Sequence, residues 1–273
     1  MEELAHAKVN LFLRVLRRRA DGFHQIETLM VPIALHDFIE IEPANSFQFH
    51  CDKRELAGDD NLVVRAARLF FFETKREPKV RLTLEKRIPH GAGLGGGSSD
   101  AAATLRVLNR FFETALPNEK LQELAAQLGS DVPFFLNIGT AICSGRGEIV
   151  TPITLPTPLD LLLLKPDFGI ASSWAYSRWQ ANRESTDATY QSQKFGELTF
   201  VNDLERAVFE KFIFLAHLKA WLREQAGVGA ALMSGSGSTI LAVMRTGTDA
   251  ELVAKRAQSE VDPDLWSCAC QTI

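Results

Sequence analysis

Near its start the chain alternates. Val9, Leu11, Leu13 and Val15 fall on one side of an extended segment, with Lys8 and Asn10 on the other, which is the two-residue period of a strand. Two polar residues at that spacing suit either a solvated face or a pair of functional groups. A polar turn over residues 17–22 leads to Phe23 and His24 at a loop edge. An aromatic ring beside an imidazole there can stack on and hydrogen-bond a base, or serve only as structure. Short strands are predicted over residues 31–35, 38–41 and 47–49. A helix follows over 61–74, with Leu62, Ala66 and Leu69 on one side, and alternating Val80, Leu82 and Leu84 predict another strand.

Further on, Leu121, Leu124, Ala125 and Leu128 form the apolar stripe of a helix over 118–128, with Gly129 placed to end it. Asp131, two residues before Pro133, can start a short helix, or present a carboxylate that orients a hydroxyl nucleophile. Strands are predicted at 141–143 and 148–150. Pro152, Pro156 and Pro158 mark a linker, which places a domain boundary between residues 1–155 and 156–273. The second half has an apolar strand (159–164), a helix (172–183), a polar segment (184–196) and a helical region (202–225). Two strands (229–233 and 239–244) are joined by a Gly/Ser loop at 234–238, and a helix (249–261) and a strand near Trp266 complete the pattern. Strands and helices without regular βαβ repetition give an α+β fold.

The strand at Val80 runs into Pro89, His90, Gly91, Ala92, Gly93, Leu94, Gly95, Gly96, Gly97, Ser98 and Ser99, with five glycines in seven residues. Glycine lets the backbone take positive φ and approach a ligand closely. An Ala-rich helix is predicted from residue 100 to 112, capped by Ser98 or Ser99, and its N-terminal amides suit an anion such as a polyphosphate. Gly91, Gly93 and Gly96 spell G-x-G-x-x-G, but the loop comes deep in the chain, and Glu113 follows a helix end rather than closing a second strand. A dinucleotide fold is therefore disfavoured. No Gly-Lys-Ser/Thr follows, which excludes a P-loop.

The composition narrows the classes. An apolar share of 46% with 23% charged residues is that of a globular chain with a sizeable core. A net charge of −4 gives no general attraction to nucleic acid or anionic membrane, so an anionic substrate must be held locally. The chain lacks a spanning apolar run and opens with Glu2 and Glu3, which leads to the expectation of a cytoplasmic protein. Cys51, Cys143, Cys268 and Cys270 lack paired metal spacing, so no metal site is assigned to protein ligands.

Three segments together carry a resemblance: Ala7-Lys8-Val9-Asn10-Leu11, the glycine loop with its helix, and Met233-Ser234-Gly235-Ser236-Gly237-Ser238. In that order they resemble the three motifs of the GHMP kinases, which phosphorylate small metabolites from ATP. Arg19-Ala20-Asp21-Gly22-Phe23-His24, Leu35-His36-Asp37, Gly129-Ser130-Asp131-Val132-Pro133 and Asn202-Asp203-Leu204-Glu205 are similar to the branch that acts on a cytidine-diphosphate-linked methylerythritol. The resemblance implies an N-terminal ribosomal-S5-like domain and a C-terminal ferredoxin-like domain. Lys8 and Asp131 then correspond to the catalytic pair, residues 89–99 to the ATP phosphate site, and Asn10, Phe23 and His24 to the acceptor site. Phe23 stands where the family often has tyrosine, and Ser173 where threonine is frequent. The implied cofactors are ATP and Mg²⁺, with the ion held by ATP, water and a loop serine. The implied partner is a small molecule, with no nucleic acid and no membrane, for a monomer or weak homodimer. Homoserine or mevalonate-type kinases, an ATP-binding sensor and a nucleic-acid-binding module are the alternative readings.

Overall fold

The computed structural model describes residues 1–179 and 190–273. Two long strands organise the first half, β1 (Glu2–Arg18) and β2 (His24–Pro43), paired antiparallel across the turn that contains Gly22 and Phe23. The predicted short strands at 31–35 and 38–41 are thus parts of one. Pro32 lies within β2 opposite Lys8, at a shift of register, where a residue without an N–H is tolerated. The sheet grows outward through β3 (Gln48–Cys51), β4 (Val80–Glu85), β5 (Ala141–Gly145) and β6 (Ile149–Pro152). α1 (Leu62–Thr74) begins at Asn61, whose side chain accepts from the Val63 amide at 2.8 Å. With α2 (Gly96–Phe111) and α3 (Asn118–Leu128) it packs around a core that includes Phe70, Leu82, Leu105 and Phe134. The short α4 (Val132–Leu136) follows Asp131.

In the second half, β7 (Asp160–Lys165), β10 (Val228–Met233), β11 (Ile240–Met244) and β12 (Trp266–Gln271) form an antiparallel sheet in the order β10-β11-β7-β12. Between them come α5 (Ser172–Arg178), β8 (Gln193–Phe195), β9 (Leu198–Asn202), α6 (Glu205–Phe209), α7 (Ile213–Glu224) and α8 (Ala250–Glu260). α7 packs on β10 and β11, and α8 on β7 and β12. The β7, β10, β11 and β12 order is that of a ferredoxin-like sheet. The helical region expected over 202–225 is instead the end of β9 and two helices. Asn202 finishes the strand because β9 pairs in parallel with β1, Leu13 opposite Asn202. The predicted helix over 172–183 is observed as α5. It ends at Arg178, with Trp179 extended, and residues 180–183 of the prediction and 184–189 of the polar segment lie outside the described residues.

The two halves share a core. Ala7, Val9 and Leu11 of β1 pack with Ile88, Ala92 and Leu94 of the glycine loop and with Leu161, Leu163, Leu232 and Leu241 of the second sheet. With this aliphatic face of β1 enclosed, Lys8 and Asn10 on the other face are left to line whatever lies beyond. Among the described residues no helix is long and apolar enough to cross a membrane.

Candidate functional site

Lys8 and Asn10 are 3% and 1% exposed, so the face they share is not solvated. Register shifts on either side, between His6 and Lys8 and between Asn10 and Phe12, bracket the pair. Such bulges re-aim side chains. Lys8 Nζ donates to Asn10 Oδ1 at 2.6 Å and to the Gly93 carbonyl at 3.1 Å, and it lies 3.6 Å from Asp131 Oδ2. The Lys8 amide donates to the Leu94 carbonyl at 3.0 Å, which fixes the strand to the glycine loop. Behind it, Asn10 Nδ2 donates to Thr28 Oγ1 at 2.7 Å, and that hydroxyl donates to the Phe12 carbonyl at 2.6 Å. Each acceptor is thus filled in turn and the lysine is held in one place.

The glycine loop alternates glycine with buried apolar residues. Gly91, Gly93 and Gly95 have φ of 64°, 74° and 72°, while Ala92 and Leu94 are buried in the shared core. A Cβ at Gly93 would lie 2.1 Å from the Ser234 carbonyl oxygen, and one at Gly95 2.7 Å from Phe135 Cζ. Close approach of the Ser234 backbone at Gly93, of the Phe135 ring at Gly95, and positive φ at both therefore call for glycine. The helix begins earlier than expected, at Gly96, with Gly95 as its left-handed cap and no side-chain cap bond. Ser98 and Ser99 lie inside the first turn rather than capping it. Ser98 lines the cavity below, whereas Ser99 is buried and does not.

Asp131 sits at the start of α4, but its side chain makes no capping bond. With 33% of that side chain accessible, the carboxylate is open to the cavity and beside Lys8. Close to it, burial first, and then the Asp131 charge, raise the Cys143 thiol to about 12 and push the Tyr176 phenol above its usual range, so both stay protonated.

Under the loop lies a buried ionic cluster that sequence reasoning did not single out. Lys86 Nζ pairs with Asp37 and, at 2.7 Å, with Asp100 Oδ2, while Asp37 Oδ1 accepts from the Ile88 amide at 2.8 Å. Burial opposes the lysine charge, but Asp100 and Asp37 outweigh it and raise its pKa. Burial lifts the Asp100 carboxyl to about 8, although Lys86 pulls the other way. Among the described residues Asp100 Oδ1 has no hydrogen-bond partner and is buried.

Lys8, Asn10, Asp131, Lys86, Asp100 and the glycine loop all border one cavity of about 830 Å³. It is lined by Lys8, Asn10, the loop from Pro89 to Ser98, Asp131, and, toward one end, Phe23, His24, Tyr176 and Trp179. His24 stacks on Tyr176 with ring centroids 5.5 Å apart and meets Trp179 edge-on at 5.6 Å. Burial, then the nearby Arg18 charge, lower the His24 pKa, which favours a neutral ring able to donate and accept. The Arg146 guanidinium sits over Phe23, 4.8 Å from its centroid. Sequence reasoning paired Phe23 with His24 but did not find Tyr176, Trp179 or Arg146, which come from distant segments. Ser173 lines the cavity, and its neighbour Ser172 shares a hydrogen bond of 2.8 Å with Ser236 of the third glycine-bearing loop.

Comparison with known proteins accords with this arrangement. The GHMP kinases N terminal domain profile matches residues 61–139, and the GHMP kinases C terminal profile matches residues 191–262. The chain belongs to the GHMP kinases. Among relatives of this GHMP kinase, the 4-diphosphocytidyl-2-C-methyl-D-erythritol kinase of Methylacidiphilum infernorum is 40% identical, over 97% of this chain and 94% of the relative. The enzyme of the same name from Chloroherpeton thalassium is 37% identical, over 95% and 96%. A crystal structure of 4-(cytidine 5'-diphospho)-2C-methyl-D-erythritol kinase superposes with a TM-score of 0.82 at 35% identity, covering 100% of this chain and 99% of the other. The homoserine kinase of Cytophaga hutchinsonii, at 15% identity and a TM-score of 0.70, shares the fold. GHMP kinases use ATP, so this GHMP kinase is an ATP-dependent enzyme acting on a small molecule.

Proposed function

We propose that this GHMP kinase transfers the γ-phosphoryl group of ATP to the 2-hydroxyl of 4-diphosphocytidyl-2-C-methyl-D-erythritol, a step toward isoprenoid precursors. One observation supports the reading: the Lys8–Asp131 pair, the glycine loop and the Phe23, His24 and Tyr176 rings line a single cavity. The names of the relatives support it. Phosphoryl transfer depends mainly on positioning and on stabilising charge as it develops. The loop amides receive the polyphosphate at the N-terminus of α2. Asp131 accepts the proton of the hindered hydroxyl, while Lys8 pairs with that carboxylate and faces the transferring group. Asn10 orients Lys8 and the polyol, and Phe23 and His24 dock the cytosine.

Mg²⁺ fits as an ion that arrives with ATP. Among the described residues no cluster of three or more His, Cys, Asp or Glu side chains offers a metal cage, while the Ser98 hydroxyl faces the cavity beside the loop. When bound, the ion neutralises charge on the phosphate oxygens. We also propose that the two domains divide at residues 155/156, with β9 of the second joining the sheet of the first.

The test is an ADP-release assay that offers the cytidine-diphospho-methylerythritol substrate beside homoserine and mevalonate. Turnover confined to the first is expected. Turnover of either of the others, with none of the first, overturns the assignment.

A further inference from the structure

The segment Asn202-Asp203-Leu204-Glu205 lines no part of the cavity, yet two of its side chains hold the root of a loop that does. Asn202 is 3% exposed. Its amide Nδ2 donates to the Met233 carbonyl at 2.8 Å and to the Gly235 carbonyl at 2.7 Å, and its Oδ1 accepts from the Leu204 amide at 2.9 Å. Both donors and the acceptor of one side chain are therefore used, all inside the protein. Glu205, 2% exposed, accepts from the Met233 amide at 2.8 Å through Oε1 and pairs with buried Lys219 through Oε2. Met233 is thus gripped at its carbonyl by Asn202 and at its amide by Glu205.

What is gripped is the root of the third glycine-bearing loop. From there Ser234 Oγ donates to the Gly93 carbonyl at 3.1 Å, the same carbonyl that accepts from Lys8. Gly235, at φ of 55°, comes so near the catalytic face that a Cβ there would lie 3.2 Å from Asn10 Oδ1 and 3.2 Å from Lys8 Nζ. Gly235 and Ser236 both line the cavity. A shift of the loop root therefore moves backbone directly against the lysine and the carbonyl that hold it.

We infer that Asn202 is a positioning residue for phosphoryl transfer: it seats the turn at Gly235 and Ser236 against Lys8, Asn10 and Gly93, with Glu205 and Lys219 as the fixed support behind it. The inference rests on the proposed transfer at Lys8 and Asp131. Without the amide, two buried carbonyls lose their donor and the turn has no tie to β9 through that side chain. Asp203 supplies a built-in contrast. It accepts from Arg14 Nη1 at 2.7 Å and from the Val15 amide at 2.9 Å, at the end of β1 away from Lys8, and makes no bond to the loop in the described residues.

The experiment compares Asn202→Ala, Asn202→Ser and Asp203→Ala, with kcat expressed per active molecule after titration with a tight-binding ATP analogue. Each lowers the melting temperature. Asn202→Ala is expected to lose roughly 10- to 100-fold in kcat, the scale of a misplacement of about 1 Å, and Asn202→Ser, which keeps one donor, to lose less. Asp203→Ala is expected to stay within about twofold of wild type. Hydrogen exchange read without any acceptor should show faster exchange at residues 235–237 in the Asn202 variants and not in Asp203→Ala. Normal kcat per active molecule in Asn202→Ala, or unchanged exchange at 235–237, overturns the role. If Asn202→Ala does not fold, Asn202→Ser decides by the same two readouts. If the wild-type enzyme turns over no cytidine-linked substrate, the functional reading fails, and the exchange data still judge the positioning of the loop.

Discussion

Lys8 Nζ lies 3.6 Å from Asp131 Oδ2, the lysine buried against the glycine loop and the carboxylate open to the cavity. Because Asp131 makes no capping bond to α4, its side chain can be changed without unwinding that helix. Asp131→Asn should melt like wild type and lose roughly 10²–10⁴-fold in kcat, the span of a positioned general base. Wild-type-like turnover in this variant would remove Asp131 from the proposed chemistry.

At the glycine loop, Gly93→Ala forces a Cβ into the Ser234 carbonyl from a left-handed backbone. Calorimetry should find no measurable affinity for a non-hydrolysable ATP analogue. Gly97 is helical, and a Cβ there meets only Leu62 Cδ1 at 3.5 Å, an ordinary contact. Gly97→Ala should raise stability by about 0.5–1 kcal/mol. A flexible linker predicts the same small effect at both positions, so equal behaviour would count against a built phosphate site.

Phe23 is 48% exposed, so its removal costs little core packing. If it stacks on cytosine, a contact worth about 1–3 kcal/mol, Phe23→Ala should raise the acceptor KM by about 5- to 150-fold, with kcat and the ATP KM far less affected. His24→Ala should act in the same direction. Because burial lowers the His24 pKa, its neutral ring persists below the usual histidine range, and the acceptor KM should rise only as the pH falls further. An unchanged acceptor KM in both variants would reject the pocket.

Asp100 makes stability depend on pH. In the folded chain burial pushes its carboxyl up to about 8 against the pull of Lys86, while in the unfolded chain it titrates in the ordinary aspartate range near pH 3.9. Between those values the native state binds more protons, so stability is full below the lower value and is lost as pH rises through the upper one. The melting temperature should therefore fall from pH 6 to pH 9, and more shallowly in Asp100→Asn. Equal slopes would mean that the buried carboxyl does not titrate there.

The sequence by itself determined the local parts: the alternation that makes β1, the helix that becomes α1, the stripe of α3, and a glycine loop ahead of a helix. These are readable because their causes lie within a few residues. Long-range pairing decided the rest. The segments 31–35 and 38–41 look like separate strands until both pair with β1 as parts of β2, and Asn202 looks helical until β9 pairs with β1. Likewise, Lys8 and Asn10 look like a solvated face until the second sheet covers the other side of β1 and leaves them facing the cavity. Tyr176 and Trp179 carry no local sign of a base pocket, and Lys86 and Asp100 none of a buried ion cluster. Each acquires its chemistry from burial and from partners far along the chain, and burial is a property of the assembled fold.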